Sequence, residues 1–346
     1  MSYELNKKIR ELEPYEPISG TYKIRLDANE CPENYPDFIK EEIKNAIDTI
    51  DFNRYPDPLA EKVVTAFADY YGINPKYVTA GNGSDELIFL IEAAFMEKGD
   101  RMLCVAPDFS MYKFCEVECD TFIKSDALSI DTDALIEKVN RDNIKLLLFS
   151  NPCNPTGQGM TAEDARRLVT SVNALVILDE AYMDFWDQSL INEVEKYSNL
   201  IIFRTASKAV GSAALRLGFA VANETISRAV KAVKSPYNVN TFSQVVGSII
   251  YKNKDYLKNR QKTIVRNREK LYNDLLELSA LSDDFKVYNS CANFVFVKTS
   301  FGKDLWNYLK DNSIVIRFMG DYIRISVGTE EENEELISYI KTYLSR

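Results

Sequence analysis

Leu200-Ile201-Ile202-Phe203-Arg204-Thr205-Ala206-Ser207-Lys208 is the stretch that decides the fold. It begins as a short apolar run, as a buried strand does, and then turns polar, with two hydroxyls and an amine close behind. The design recurs upstream, where residues 101–106, 145–150 and 174–178 also read as buried strands. Asn151-Pro152-Cys153-Asn154-Pro155-Thr156-Gly157 follows one of them and Asp179-Glu180-Ala181-Tyr182 another. Helical stretches at 84–96 and 162–172 lie between the strands. Strand and helix in alternation predict an α/β fold with a largely parallel sheet. Ligands of such sheets bind outside the carboxyl ends of the strands, so these distant residues are expected to meet at one edge.

Outward from this centre the texture changes. The first thirty-odd residues are rich in turn formers and read as an arm. Residues 38–50 and 59–71 carry apolar residues at helical spacing, on either side of the rigid loop Arg54-Tyr55-Pro56-Asp57-Pro58. From about Pro236 a long charged helical stretch, 252–278, precedes strands near 293–298 and 322–327. At 346 residues the chain is too long for one ordinary compact domain. The expected organisation is an arm (1–35) packing with a small α+β domain (236–346), and a large domain (36–235) holding the mostly parallel sheet flanked by helices.

Composition prunes the chemistry. A net charge of −10 opposes binding to nucleic acid. No apolar run approaches membrane-spanning length, and Met1-Ser2-Tyr3-Glu4-Leu5 lacks signal-peptide character, so a cytoplasmic protein is expected. Six scattered cysteines, with Cys115 and Cys119 the nearest pair, read as reduced thiols without metal-type spacing, and no metal site is expected. There is no histidine, which removes Ser-His-Asp and Cys-His catalysis. Proton transfer near neutral pH falls to lysine, carboxylate, tyrosine or thiol.

Each motif admits a plain structural role beside a chemical one. Gly81-Asn82-Gly83-Ser84-Asp85-Glu86 opens a helix; its backbone N–H groups suit a phosphate, or Ser84 is simply a helix cap. Glu86 stands where a dinucleotide fingerprint needs its third glycine. Asp179 ends an apolar run, where a carboxylate is costly unless a cation such as a protonated pyridine nitrogen meets it. It also fits a helix cap. A nucleotide hydrolase is ruled out, because Gly302-Lys303 has Val297 where the phosphate loop needs glycine. Lys208 is a candidate nucleophile toward an aldehyde or a solvated lysine. Thr205, Ser207 and Arg216 suit a phosphate dianion. Tyr182, Asn154 and Tyr112 are contacts to a ring or ordinary polar residues among the chain's 20 tyrosines and many amides. Arg324, alternating with Ile323 and Ile325, clamps a carboxylate or lies at a solvated edge. Arg317 offers a second anion contact.

Taken together, NPxNPTG (151–157), DEAY (179–182), Ser207-Lys208, Arg216 and Arg324-Ile325-Ser326-Val327-Gly328-Thr329 resemble the pyridoxal-phosphate-dependent aminotransferases of fold type I. Within them the chain is most similar to the histidinol-phosphate aminotransferases, from Leu26-Asp27-Ala28-Asn29-Glu30 to Thr329. The resemblance implies pyridoxal 5'-phosphate as cofactor. Lys208 would carry its Schiff base, Asp179 would pair with the pyridine nitrogen, and Tyr182 with Asn154 would contact the ring oxygen. Tyr112 would stack on the ring. Gly83, Ser84, Asp85, Thr205, Ser207 and Arg216 would hold the phosphate, and Tyr55 would reach that of a neighbouring subunit in a homodimer with shared sites. Arg324 would bind the substrate carboxylate, with Arg317, Tyr15 and Asn29 at its distal end. The segment between Arg317 and Arg324 is short for the family, and Ile18-Ser19-Gly20-Thr21-Tyr22 lacks its usual basic character.

The implied activity moves an amino group between an amino acid or amine, histidinol phosphate foremost, and 2-oxoglutarate or glutamate by a ping-pong mechanism. The alternatives are an amino-acid-phosphate decarboxylase, like threonine-phosphate decarboxylase, and an aromatic aminotransferase. A regulator borrowing the fold is disfavoured, since the first thirty-odd residues are too short and acidic for a DNA-binding appendage.

Overall fold

The computed structural model describes residues 3–5, 10, 17–113 and 118–346. The expected site residue Tyr15 lies outside them, as does Cys115. Two sheets organise the chain. In order, the elements are β1 (Ile24–Leu26), α1 (Asp37–Ile47), α2 (Glu61–Tyr71), β2 (Val78–Gly81), α3 (Gly83–Phe95), β3 (Arg101–Ala106) and β4 (Glu118–Ile123). Then come α4 (Thr132–Arg141), β5 (Leu146–Ser150), α5 (Ala162–Ser171), β6 (Leu175–Asp179), β7 (Leu200–Thr205), β8 (Gly218–Ala222) and α6 (Glu224–Val233). The remainder is α7 (Thr241–Lys252), α8 (Lys254–Leu278), β9 (Lys286–Tyr288), β10 (Phe294–Lys298), α9 (Gly302–Asp311), β11 (Ile314–Phe318), β12 (Tyr322–Ser326) and α10 (Glu330–Leu344).

Seven strands in the order β2-β8-β7-β6-β5-β3-β4 form the larger sheet. β4, β3, β5, β6 and β7 run parallel, and β8 runs antiparallel to both β7 and β2. The sheet is therefore mixed and mostly parallel, as the alternating pattern predicts. Its strands are apolar on both sides because both sides are covered. Val176 and Leu178 of β6 pack into one layer of core while Ile177 enters the other, and Leu147 and Phe149 of β5 oppose Leu146 and Leu148 in the same way.

The smaller sheet has the order β1-β11-β12-β10-β9. Its apolar face packs with α8, α9 and α10 around Phe294, Val295, Ile323, Ile325, Leu271 and Leu336. Residues 24–26, in the stretch read as irregular, form a strand parallel to β11, with Ile24 opposite Ile314. A three-residue strand is too short to announce itself by alternation. Among the described residues no helix is long and apolar enough to cross a membrane.

Candidate active site

The carboxyl ends of β5, β6 and β7 lie side by side, Ser150 in register with Asp179 and Asp179 with Phe203. The loop after β5 is tied to β6, because Asn151 N donates to Asp179 O at 2.9 Å. Asp179, Asn154, Tyr182, Thr205 and Ser207 are thereby gathered at one sheet edge.

Asp179 is 4% exposed. Tyr112 donates its hydroxyl to Oδ2 at 2.7 Å and the Ala181 N–H donates to Oδ1 at 3.1 Å. Burial nonetheless pushes the carboxyl up to about 6, with Tyr112 and the Ala181 amide pulling the other way and the charges of Asp108 and Asp85 adding to the rise. Tyr112 is itself buried, its hydroxyl turned to Asp179.

Lys208 follows in the turn after β7. Its Nζ donates to Ala28 O at 3.1 Å and lies 5.7 Å from the centre of the Tyr182 ring. Tyr182 is packed edge-on against Phe294, and its oxygen accepts from Asn29 Nδ2 at 3.0 Å. Asn29 is held in turn by Ser326, whose hydroxyl donates to Asn29 Oδ1 at 3.0 Å. The structure thus brings Asn29 to Tyr182, 1% exposed and between the two sheets.

Arg324 projects from β12, its side chain 8% exposed. It donates to Asn154 Oδ1 at 2.5 Å and to Asp27 O at 2.7 Å. Arg317 stands directly opposite it on β11. The short segment between them is a tight hairpin turn, in which Met319 N donates to Tyr322 O at 2.8 Å. Paired residues of antiparallel strands share a face, so two guanidiniums lie on one surface beside Asn154.

A second cluster sits where β8 and β7 meet the start of α3. Gly218 pairs with Gly81 on one side and Thr205 on the other. A Cβ on Gly218 would lie 2.4 Å from the Gly83 carbonyl carbon and 2.5 Å from Ser84 N. Gly83 has a φ of +82°, and a Cβ there would meet Arg216 Nη2 at 2.9 Å. These two glycines let the first turn of α3 close on the strand ends. The helix start has no side-chain cap; Asn82 instead donates its own N–H to Glu86 at 2.6 Å. Ser207 N and Oγ approach Thr205 Oγ1 at 3.1 and 3.0 Å, and Arg216 is paired with Asp85 at 3.0 Å. N–H groups at a helix start, two hydroxyls and a guanidinium compose an anion cup. Tyr55 lies apart, 82% exposed and stacked on Tyr237 with ring centres 4.6 Å apart. Sequence reasoning passed over Asp108 and Lys124, which belong to no motif, and gave Ser326 no role although it lies in the stretch Arg324-Ile325-Ser326-Val327-Gly328-Thr329. Among the described residues no cluster of three or more cysteines or carboxylates could hold a metal ion.

Comparison with known proteins gives this arrangement its setting. The profile of the family "Aminotransferase class I and II" matches residues 21–340. A histidinol-phosphate aminotransferase of Clostridium novyi is 39% identical over 344 residues, covering 97% of this chain and 96% of its own. Histidinol-phosphate aminotransferase 1 of Carboxydothermus hydrogenoformans is 38% identical over 338 residues, covering 94% and 95%. In fold, the crystal structure of histidinol-phosphate aminotransferase from Sinorhizobium meliloti in complex with pyridoxal-5'-phosphate superposes with a TM-score of 0.87 at 22% identity, covering 99% of this chain and 97% of that one. The residues here suit that cofactor. The glycine-lined cup matches a phosphate, and the buried carboxylate of Asp179 calls for a cation such as a ring N–H. The chain belongs to the class I and II aminotransferases and is a pyridoxal-phosphate-dependent enzyme of fold type I.

Proposed function

We propose that the protein transfers the amino group of histidinol phosphate to 2-oxoglutarate by a ping-pong mechanism, with Lys208 as the amine that condenses with the cofactor aldehyde. The observation that carries the substrate class is the cross-strand pair Arg317 and Arg324 beside Asn154. Two guanidiniums on one face suit a phosphate monoester and, in the second half-reaction, a dicarboxylate. The curated relatives bearing the histidinol-phosphate name support the same choice.

When bound, pyridoxal phosphate supplies an electron-withdrawing ring that stores the electron pair released at the substrate α-carbon. Asp179, directed at the ring nitrogen, keeps that ring cationic. Thr205, Ser207, Arg216 and the N–H groups of Gly83, Ser84 and Asp85 hold the phosphate. Tyr182 and Asn154 would contact the ring oxygen, and Tyr112, whose hydroxyl donates to Asp179, would stack on the ring. Lys208 Nζ would hold the cofactor and, when free, would take up the proton that leaves the substrate α-carbon. Arg324 would bind the substrate carboxylate and so orient the substrate, and Arg317, Asn29 and Tyr15 would shape the distal end.

The working unit of this reading is a cytoplasmic homodimer in which Tyr55 of each subunit reaches the other's phosphate. Phe52 and Tyr55 are 78% and 82% exposed, and Tyr55 stacks on Tyr237, itself exposed. Cys31, Cys104, Cys153 and Cys291 form no disulfide, which fits a reducing compartment.

The test is spectral. Purified protein should be yellow, and histidinol phosphate and glutamate should each convert it to the pyridoxamine form, whereas Lys208→Ala should lose both response and turnover. Conversion by aromatic amino acids in preference to histidinol phosphate would overturn the substrate. Release of carbon dioxide from a phosphorylated amino acid without any keto acid would make the enzyme a decarboxylase.

A further inference from the structure

Beside Asp179 lie a half-buried carboxylate, Asp108, and a buried lysine, Lys124, that the reaction scheme leaves unused. Asp108 follows β3, and its carboxylate reaches the end of β5. Oδ2 accepts from Ser150 N at 3.1 Å, and Ser150 Oγ donates to Oδ1. Ser150 is the residue in register with Asp179, and its Oγ also accepts the N–H of Asn154 at 3.1 Å. Asp108 therefore holds the strand next to Asp179 and the loop that presents Asn154.

Lys124, just beyond β4, is 6% exposed. Its backbone N–H donates to Ala106 O at 2.9 Å, and its Nζ donates to Pro107 O at 2.9 Å and to Cys153 Sγ at 2.8 Å. Those contacts anchor it to the residue before Asp108 and the residue before Asn154. A lysine is rarely so enclosed without a counter-charge, and its charge acts on Asp108, opposing the effect of burial there. Burial pushes the Cys153 thiol up, so the sulfur beside the ammonium is a neutral acceptor.

We propose that Asp108 and Lys124 are a positioning pair for the cofactor ring, Lys124 cancelling the charge of Asp108 so that Asp179 alone faces the ring nitrogen. The proposal rests on reading Asp179 as the ring's partner. With both carboxylates and the ammonium charged, the cluster carries one net negative charge, the complement of one ring N–H cation. The groups around Asp179 are Tyr112, Asp108 and Asp85, and those around Asp108 are Lys124, Ser150 and the Cys153 thiol.

A charge role and a packing role separate in the visible pH titration of the bound cofactor. The titrating form is cationic, so added negative charge raises its midpoint and lost negative charge lowers it. Lys124→Met should raise the midpoint and Asp108→Asn should lower it, each by about one pH unit at this range. The double variant Asp108→Asn/Lys124→Met should return close to the parent value. Cofactor-free protein gives a second readout: the melting temperature should fall in Lys124→Met and recover in the double variant. Should Lys124→Met not fold, Asp108→Asn and the double variant carry the comparison. Single variants that leave the midpoint unmoved, or that shift it in the same direction, overturn the proposal. Asp179→Asn is the control for the underlying reading. If it changes neither spectrum nor cofactor affinity, that reading fails; if it changes both while the pair variants stay silent, only the present proposal fails.

Discussion

Asp179 carries its charge at a cost until a cation meets it, and this has a measurable sign. Its carboxyl stands at about 6 in the fold against a reference of 3.8. A raised carboxyl favours the folded state most when protonated. That contribution is fully present below the unfolded value and is lost as pH rises through about 6. Cofactor-free protein should therefore lose on the order of 3 kcal/mol between pH 4 and pH 7 through this residue. Asp179→Asn should flatten that slope in denaturant titrations across the same range. A different buried group sets the cost of an opposite error. Arg204, 3% exposed, pairs with Glu180 and Asp184, each at 2.8 Å. Arg204→Met leaves two buried carboxylates uncompensated and should cost about 3–5 kcal/mol in unfolding free energy. Residues such as Asp179 and Lys208 were legible because each follows an apolar run that marks where a strand ends. Asn29 was named only by the family resemblance, and nothing local foretold its contact with Tyr182. That bond depends on Ser326, 297 positions away, and no local pattern encodes it.

At the scale of elements, the anion cup depends on how closely β8 approaches the start of α3. Gly218→Ala would press a methyl group against the Gly83 and Ser84 backbone. Overpacking of this kind costs roughly 1–3 kcal/mol, or about tenfold or more in cofactor affinity. Fluorescence titration of the cofactor-free variant should show that loss with little change in far-ultraviolet dichroism. β3, β5, β6 and β7 were readable as continuous apolar runs bounded by polar turns, whereas the polar edge strand β4 was not. α7 was not, because nearly every residue from Ser243 to Tyr251 is buried, leaving no polar stripe to reveal helical period. β7 also runs two residues past its apolar stretch, through Arg204 and Thr205, since the network around Glu180 and Asp184 supplies partners for a polar strand end.

For the whole molecule, the exposed aromatic surface around Tyr55 predicts association. Sedimentation should show a species of about twice the 39.5 kDa chain mass. Tyr55→Ala should weaken cofactor binding although the residue touches nothing in its own subunit's cup. A surface of this sort is hard to recognise in sequence, where exposed and buried aromatics look alike. The change of texture near Pro236 prompted the expected division there, yet α7 beyond it sends Val246 and Ile250 into the core of the larger sheet. The N-terminal strand carries a last consequence. Ile24 pairs with Ile314, and Asn29 N donates to Ser326 at 2.9 Å. The first strand cannot find its neighbour until the ribosome has released the chain beyond Ile314, so the edge of the pocket that Asn29 completes forms only after the whole larger sheet has emerged.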